Sequence, residues 1–154
     1  MKFQILFVTL LSFLTISGCS TTNDTTQAQE EFEIPQYHLI KVTGGIAGVD
    51  HTFDMDTVIW VFTVNAFNEA ILVVENNNGD EGLEDGLDSG SYTFSTVIDN
   101  ENEEYLFIEN DEFGHVDLQS DGLVIDQNKT ANGTLSDGFI YTFRLKTVLI
   151  ETGS

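Results

Sequence analysis

Basic residues are scarce: the 154-residue chain carries 5 Lys and Arg against 26 Asp and Glu, a formal charge of −21. A nucleic acid would meet repulsion along its whole backbone instead of releasing counterions, so polyanion binding is excluded as a class. Cysteine is scarcer still. Cys19 stands alone, which rules out an intrachain disulfide and leaves the fold to its apolar core. No apolar run reaches the roughly 20 residues of a bilayer-spanning helix. After Tyr37 no stretch holds a helical period through three turns, and neither an internal repeat nor a phosphate-cradling glycine loop is present. What is there is 41% apolar and 11% aromatic, too much for a chain disordered throughout.

The chain opens with Met1-Lys2 and then Ile5–Ile16 (ILFVTLLSFLTI), the length of a signal-peptide apolar region. Ile16-Ser17-Gly18-Cys19 follows and resembles the bacterial lipobox, in which small residues precede a cysteine that is lipidated and becomes the new N-terminus. A thiol is the nucleophile that can take a diacylglyceryl group, and several acyl chains hold a protein on a membrane where one binds only marginally. By analogy with lipoprotein sorting, Ser20 after the cysteine favours the outer membrane. Residues 1–18 therefore read as a leader, 19–34 as a lipidated cysteine with a polar tether, and 35–154 as one domain. Loss of one cation, Lys2, with the leader takes the charge from −21 to −22.

Beyond the tether, short β-branched and aromatic runs alternate with Gly, Asn and Asp, which predicts an all-β domain. The expected strands are Tyr37–Val42, Thr57–Val64, Ala70–Glu75, Ser91–Ile98, Glu104–Glu109, Gly114–Gln119, Leu123–Gln127 and Phe139–Lys146, the last extending toward Ile150. Period-two alternation puts Trp60 and Phe62, Tyr92 and Phe94, and Tyr141 and Phe143 on inward faces, with Phe107 added from the fifth run. Asp121-Gly122 between two alternating runs predicts a tight hairpin, which would set Leu118 opposite Ile125 and Asp117 opposite Asp126. Opposed carboxylates repel, so that pair would be solvated or bridged by a cation. Eight antiparallel strands can close as a meander barrel or split into a two-sheet sandwich, and periodicity does not choose between them.

Residues 37–49 (YHLIKVTGGIAGV), Ile59–Phe62 (IWVF), Ser89–Tyr92 (SGSY) and Asp137–Arg144 (DGFIYTFR) resemble, in the same order, the small lipocalin-like lipoproteins of Bacteroidetes. The resemblance implies an eight-stranded calycin-type barrel. It also implies a contact between Tyr37, where that family usually has Trp, and Arg144 on the last strand.

Trp60, Phe62, Tyr92, Phe94, Phe107, Tyr141 and Phe143 are the candidate lining of an apolar ligand cavity, although rings of this size can equally fill an eight-stranded barrel. Gly44, Gly45 and Gly48 with Phe53 form a first loop that could lid one end. The Asn76–Asp88 loop (NNNGDEGLEDGLD) is oxygen-rich, but an EF-hand-like reading from Asn77 puts Gly79 where a ligand belongs, and a solvated acidic loop is expected instead. His38, His51 and His115 lack metal-site spacing and have no nucleophile motif beside them. The expectation is a non-catalytic monomer without metal or cofactor, membrane-bound through Cys19, serving a small apolar ligand or an envelope partner. The alternative is a structural surface protein with a solid core.

Overall fold

In the computed structural model, which describes residues 31–151, all eight expected runs form strands. In chain order the elements are β1 (Glu31–Gly44), β2 (Val49–Thr52), β3 (Val58–Val64), β4 (Ala70–Asn76), β5 (Gly90–Ile98), β6 (Glu104–Ile108), β7 (Asp111–Gln119), β8 (Gly122–Asp126), β9 (Lys129–Thr130), β10 (Gly133–Thr134) and β11 (Phe139–Glu151). Strands β1, β3, β4, β5, β6, β7, β8 and β11 pair with their neighbours in an antiparallel meander, and β11 pairs back onto β1 along its length. That closure settles barrel against sandwich, because a closed sheet leaves no edge. The result is a lipocalin-like eight-stranded barrel. The leader, Cys19 and tether residues 20–30 lie outside the described residues.

The core follows the alternation where the strands are regular. Val58 and Trp60 on β3 and Tyr141 and Phe143 on β11 are fully or almost fully buried and meet Leu72, Val74, Leu106, Ile108 and Ile125 from the other strands. Where a bulge intervenes, alternation fails. The β1–β11 register skips Ile40, so Leu39 and Val42, three residues apart, are both buried. The β6–β7 register skips Phe113 in the same way, and Phe113 packs against the core with Trp60 at 5.5 Å and Tyr141 at 5.5 Å between ring centroids.

Several expectations change. Strand β1 begins at Glu31, four residues ahead of Pro35, because Glu31–Pro35 pair with Thr147–Glu151. The first loop contains β2, which hydrogen-bonds Lys41–Gly44, and its Val49 and His51 are half-buried between exposed Asp50 and Thr52. Residues 109–113 are no loop: Glu109 and Asn110, both at positive φ, make a two-residue turn between paired Ile108 and Asp111. The β9–β10 ribbon forms inside the long loop before β11.

The hairpin register is also displaced. Gln119 pairs with Gly122, so the turn is Ser120-Asp121, and Leu118 lies opposite Leu123 rather than Ile125. Asp117 then faces Val124 and Asp126 faces His115, so the opposed carboxylates are not formed. The reason is a close approach: an added Cβ on Gly122 would lie 2.1 Å from the carbonyl oxygen of Phe143, so the glycine is needed inside the strand where β8 crosses β11.

The Tyr37–Arg144 contact is not made either. Tyr37 pairs with Leu145 and packs its ring on Phe62 at 5.7 Å, while Arg144 lies opposite His38 and is exposed. His38 itself is fully buried beneath the loop before β3, and Nδ1 accepts the Asp56 N–H at 3.2 Å. Burial pushes its imidazole below the usual range despite the attraction of Asp56, keeping the ring neutral.

Candidate functional site

The interior is filled by rings that meet across the barrel. Trp60 on β3 lies 5.5 Å from Phe113 on β7, the opposite strand of the barrel, while Trp60 reaches Phe143 on β11 at 4.9 Å and Phe62 reaches Phe94 on β5 at 5.0 Å, each over one intervening strand. Trp60, Phe62, Phe94, Tyr141 and Phe143 thus come together as expected, Trp60, Tyr141 and Phe143 as core packing and Phe62 and Phe94 both as packing and as part of the wall of a cup. Tyr92 is half-buried at the edge of this cluster, and its hydroxyl donates to the Asp88 carbonyl at 3.0 Å. Phe107 is not among them. On β6 the core takes Leu106 and Ile108, so Phe107 at the opposite parity falls on the outer face.

The two ends of the barrel differ. At the end where β4 leads into β5, the acidic loop folds inward: Leu87 and Phe53 pack on the core. Gly86, at φ 94°, comes so close that an added Cβ would touch Tyr141 at 3.4 Å and Trp60 at 3.5 Å. Tyr141 Oη donates to Glu84 Oε1 at 2.8 Å, and the Glu84 N–H donates to His51 Nδ1 at 3.0 Å. Burial pushes the Tyr141 phenol well above its ordinary value, and the Glu84 carboxylate raises it further, so the hydroxyl stays a donor. The acidic segment is therefore a plug tied to β2 and β11, a role the sequence signalled only through Leu83 and Leu87 amid the charges.

At the other end, where β1 starts and β11 finishes, the interior opens into an apolar cup of about 230 Å³ bordered by Tyr37, Phe62, Phe94, Leu106, Val116 and Leu123. Trp60 is not on its wall. No family model, curated protein or solved structure matches this chain. The cup is smaller than the ~300–1,000 Å³ of ordinary ligand pockets, and its depth stops at the Phe62–Phe94 contact.

The remaining polar clusters have internal partners. Asn78 Nδ2 donates to Asp85 Oδ2 at 2.8 Å, the Gly82 N–H donates to Asp80 Oδ1 at 3.0 Å, and Asn76 Nδ2 donates to the Leu87 carbonyl at 3.0 Å. Asn77, where the EF-hand-like reading starts, instead gives its N–H to the Thr57 carbonyl at 2.8 Å. His115 pairs with Glu103 and meets the Tyr105 ring edge to face. Among the described residues no three His, Cys, Asp or Glu side chains converge as a metal shell.

Calcium at millimolar concentration and NaCl matched for ionic strength are accordingly expected to raise the melting temperature equally, by screening self-repulsion over about 8 to 10 Å. A calcium shift well beyond the matched salt, lost on Asp80→Asn with Asp88→Asn, would reveal a site in the plug.

Proposed function

We propose that the chain is a lipocalin-like lipoprotein, anchored to the outer membrane through Cys19, that acts as a non-catalytic surface module with a filled barrel. The observation that carries the reading is the ring contact across the interior, Trp60 with Phe113 on the opposite strand, backed by Trp60 with Phe143 and Phe62 with Phe94, which leaves no deep cavity at that level. Each histidine is engaged in a structural contact, with Asp56, Glu84 and Glu103 in turn, which supports a role outside catalysis. The acidic exterior supplies solubility and repels copies of itself.

The anchor is tested by Cys19→Ser in cells. The variant is expected to leave the membrane fraction, and a variant that stays there as fully as the parent would overturn the lipoprotein reading.

A second reading, binding of a small apolar ligand, is favoured by the cup alone. Calorimetric titration with a medium-chain fatty acid senses the cup even though Trp60 is remote from it. The expected result is no saturable heat; a stoichiometric isotherm abolished by Phe94→Asp would move the assignment to ligand binding.

A further inference from the structure

The exterior is dominated by carboxylates, yet one end of the barrel is ringed by exposed apolar side chains. Phe32 opens β1, Val64 closes β3, Phe67 sits in the β3–β4 turn, Ile98 closes β5, Leu118 nears the end of β7 and Ile150 nears the end of β11, and all are exposed. In an antiparallel meander these positions fall at the same end, the end where the apolar cup opens, and Leu118 lines the cup itself. The turn that carries Phe67 is pre-ordered: Asn65 Oδ1 accepts the N–H of Phe67 and of Glu69, both at 2.9 Å. These apolar side chains stand at the same end as the acidic β5–β6 turn, Asp99–Glu103, and so many exposed large apolar groups at one end mark a surface that meets something apolar.

Chain length says what that is. Eleven residues, twelve Cα-to-Cα steps, separate Cys19 from Glu31, the start of β1, and β1 starts at this same end. Even fully extended they span only about 40 Å at ~3.3–3.6 Å per residue. An anchor on Cys19 therefore keeps the start of β1, and with it the rim, within about 40 Å of the bilayer. A second copy is the poorer occupant, because two surfaces of charge −22 (the −21 chain without Lys2) would be brought together.

We propose that this rim rests on the lipid surface to which the chain is anchored, inserting Phe67 and its neighbours among zwitterionic headgroups and setting the plugged end outward. The proposal rests on the lipid-anchor reading for its biological setting. Exposed Glu33, Glu69, Glu101 and Asp121, with Asp99 and Glu103 beside Glu101, lie at the same end and disfavour anionic headgroups.

The test supplies the anchor chemically. The chain from Cys19 onward is coupled through its single thiol to maleimide-headgroup lipid in phosphatidylcholine vesicles, so the result does not depend on whether a cell lipidates Cys19. Tryptophan is placed by Phe67→Trp on the rim, at an 84% exposed position, or by Ile46→Trp at the opposite end, at an 89% exposed one. Circular dichroism confirms the fold of each.

With brominated phosphatidylcholine, Phe67→Trp is expected to show a blue shift and loss of emission beyond the unsubstituted chain, whose Trp60 is buried, whereas Ile46→Trp shows neither. Equal quenching at both positions, or at neither, would overturn the proposal. So would dimerisation of the uncoupled chain that Leu118→Asp abolishes, since the rim would then be a self-interface. Retention of Cys19→Ser in the cellular membrane fraction would sink the anchor reading while leaving the vesicle result standing.

Discussion

Trp60→Ala is expected to lose about 3 to 5 kcal/mol of stability, the cost of deleting a fully buried large aromatic side chain. Trp60 is completely inaccessible and touches Phe62 on its own strand, Phe113 on β7 and Phe143 on β11, so its removal opens a void where β3 meets two other strands. Ordinary domains hold only ~5–15 kcal/mol in total, and no disulfide is there to limit the unfolded chain. Denaturant unfolding followed by circular dichroism measures the loss, since the only tryptophan goes with the mutation. Trp60→Phe should fall well short of Trp60→Ala: it keeps an aromatic ring and removes an indole N–H that is buried without a partner. Phe94→Ala should also cost less, because Phe94 borders the open cup and is only half-buried. Parent-like stability of Trp60→Ala would mean that the inward faces are inverted.

The contrast between Trp60 and Phe94 marks what periodicity can tell. Alternation in β3, β5 and β11 specifies which face a residue takes, and those three stripes do point inward. It carries no information about height along the barrel, so Trp60 at the middle and Phe94 near the mouth read alike. Phe107 and Phe113 show the second limit. Phe107 reads as inward in the sequence, but β6 is apolar on both faces, and the alternation in Leu106 and Ile108 wins. Phe113 falls between two expected strands because Glu-Asn is a weak hairpin signal, and only the bulge opposite Leu106 and Phe107 brings its ring inward. The plug was illegible for a different reason: the tethers from Glu84 to Tyr141 and His51 join residues distant in sequence, which no local pattern reports. The strand set and the candidate rings of the core were legible; the closure of one end and the opening of the other were not.

The second large effect is expected at Gly122. Had Asp121-Gly122 formed the centre of the turn, Gly122 would sit at positive φ and alanine there would cost on the order of 1 kcal/mol in backbone strain. Instead it pairs with Arg144 inside the β8–β11 ladder, and the Leu145 N–H donates to the Asp121 carbonyl at 2.8 Å just beyond. A methyl group at Gly122 would meet the Phe143 carbonyl oxygen at 2.1 Å and its carbon at 3.1 Å. Both are backbone atoms, so no rotamer change can relieve the contact and the two strands must separate. Separation there lifts Leu123 and Ile125 away from Tyr141 and Phe143, which are buried against one another in the core. Gly122→Ala is therefore expected at or above the upper end of overpacking costs, about 3 kcal/mol. Gly79→Ala provides the control: nothing lies within 4 Å of its added Cβ and its φ is not positive, so the stiffer unfolded chain should leave it neutral or stabilised by up to ~1 kcal/mol. Equilibrium denaturation of the two variants beside the parent decides the matter. If Gly122→Ala matched Gly79→Ala, the β8–β11 contact would be looser than the structure shows; a loss near 1 kcal/mol would restore the turn to Asp121-Gly122 and with it the register that opposes Asp117 and Asp126.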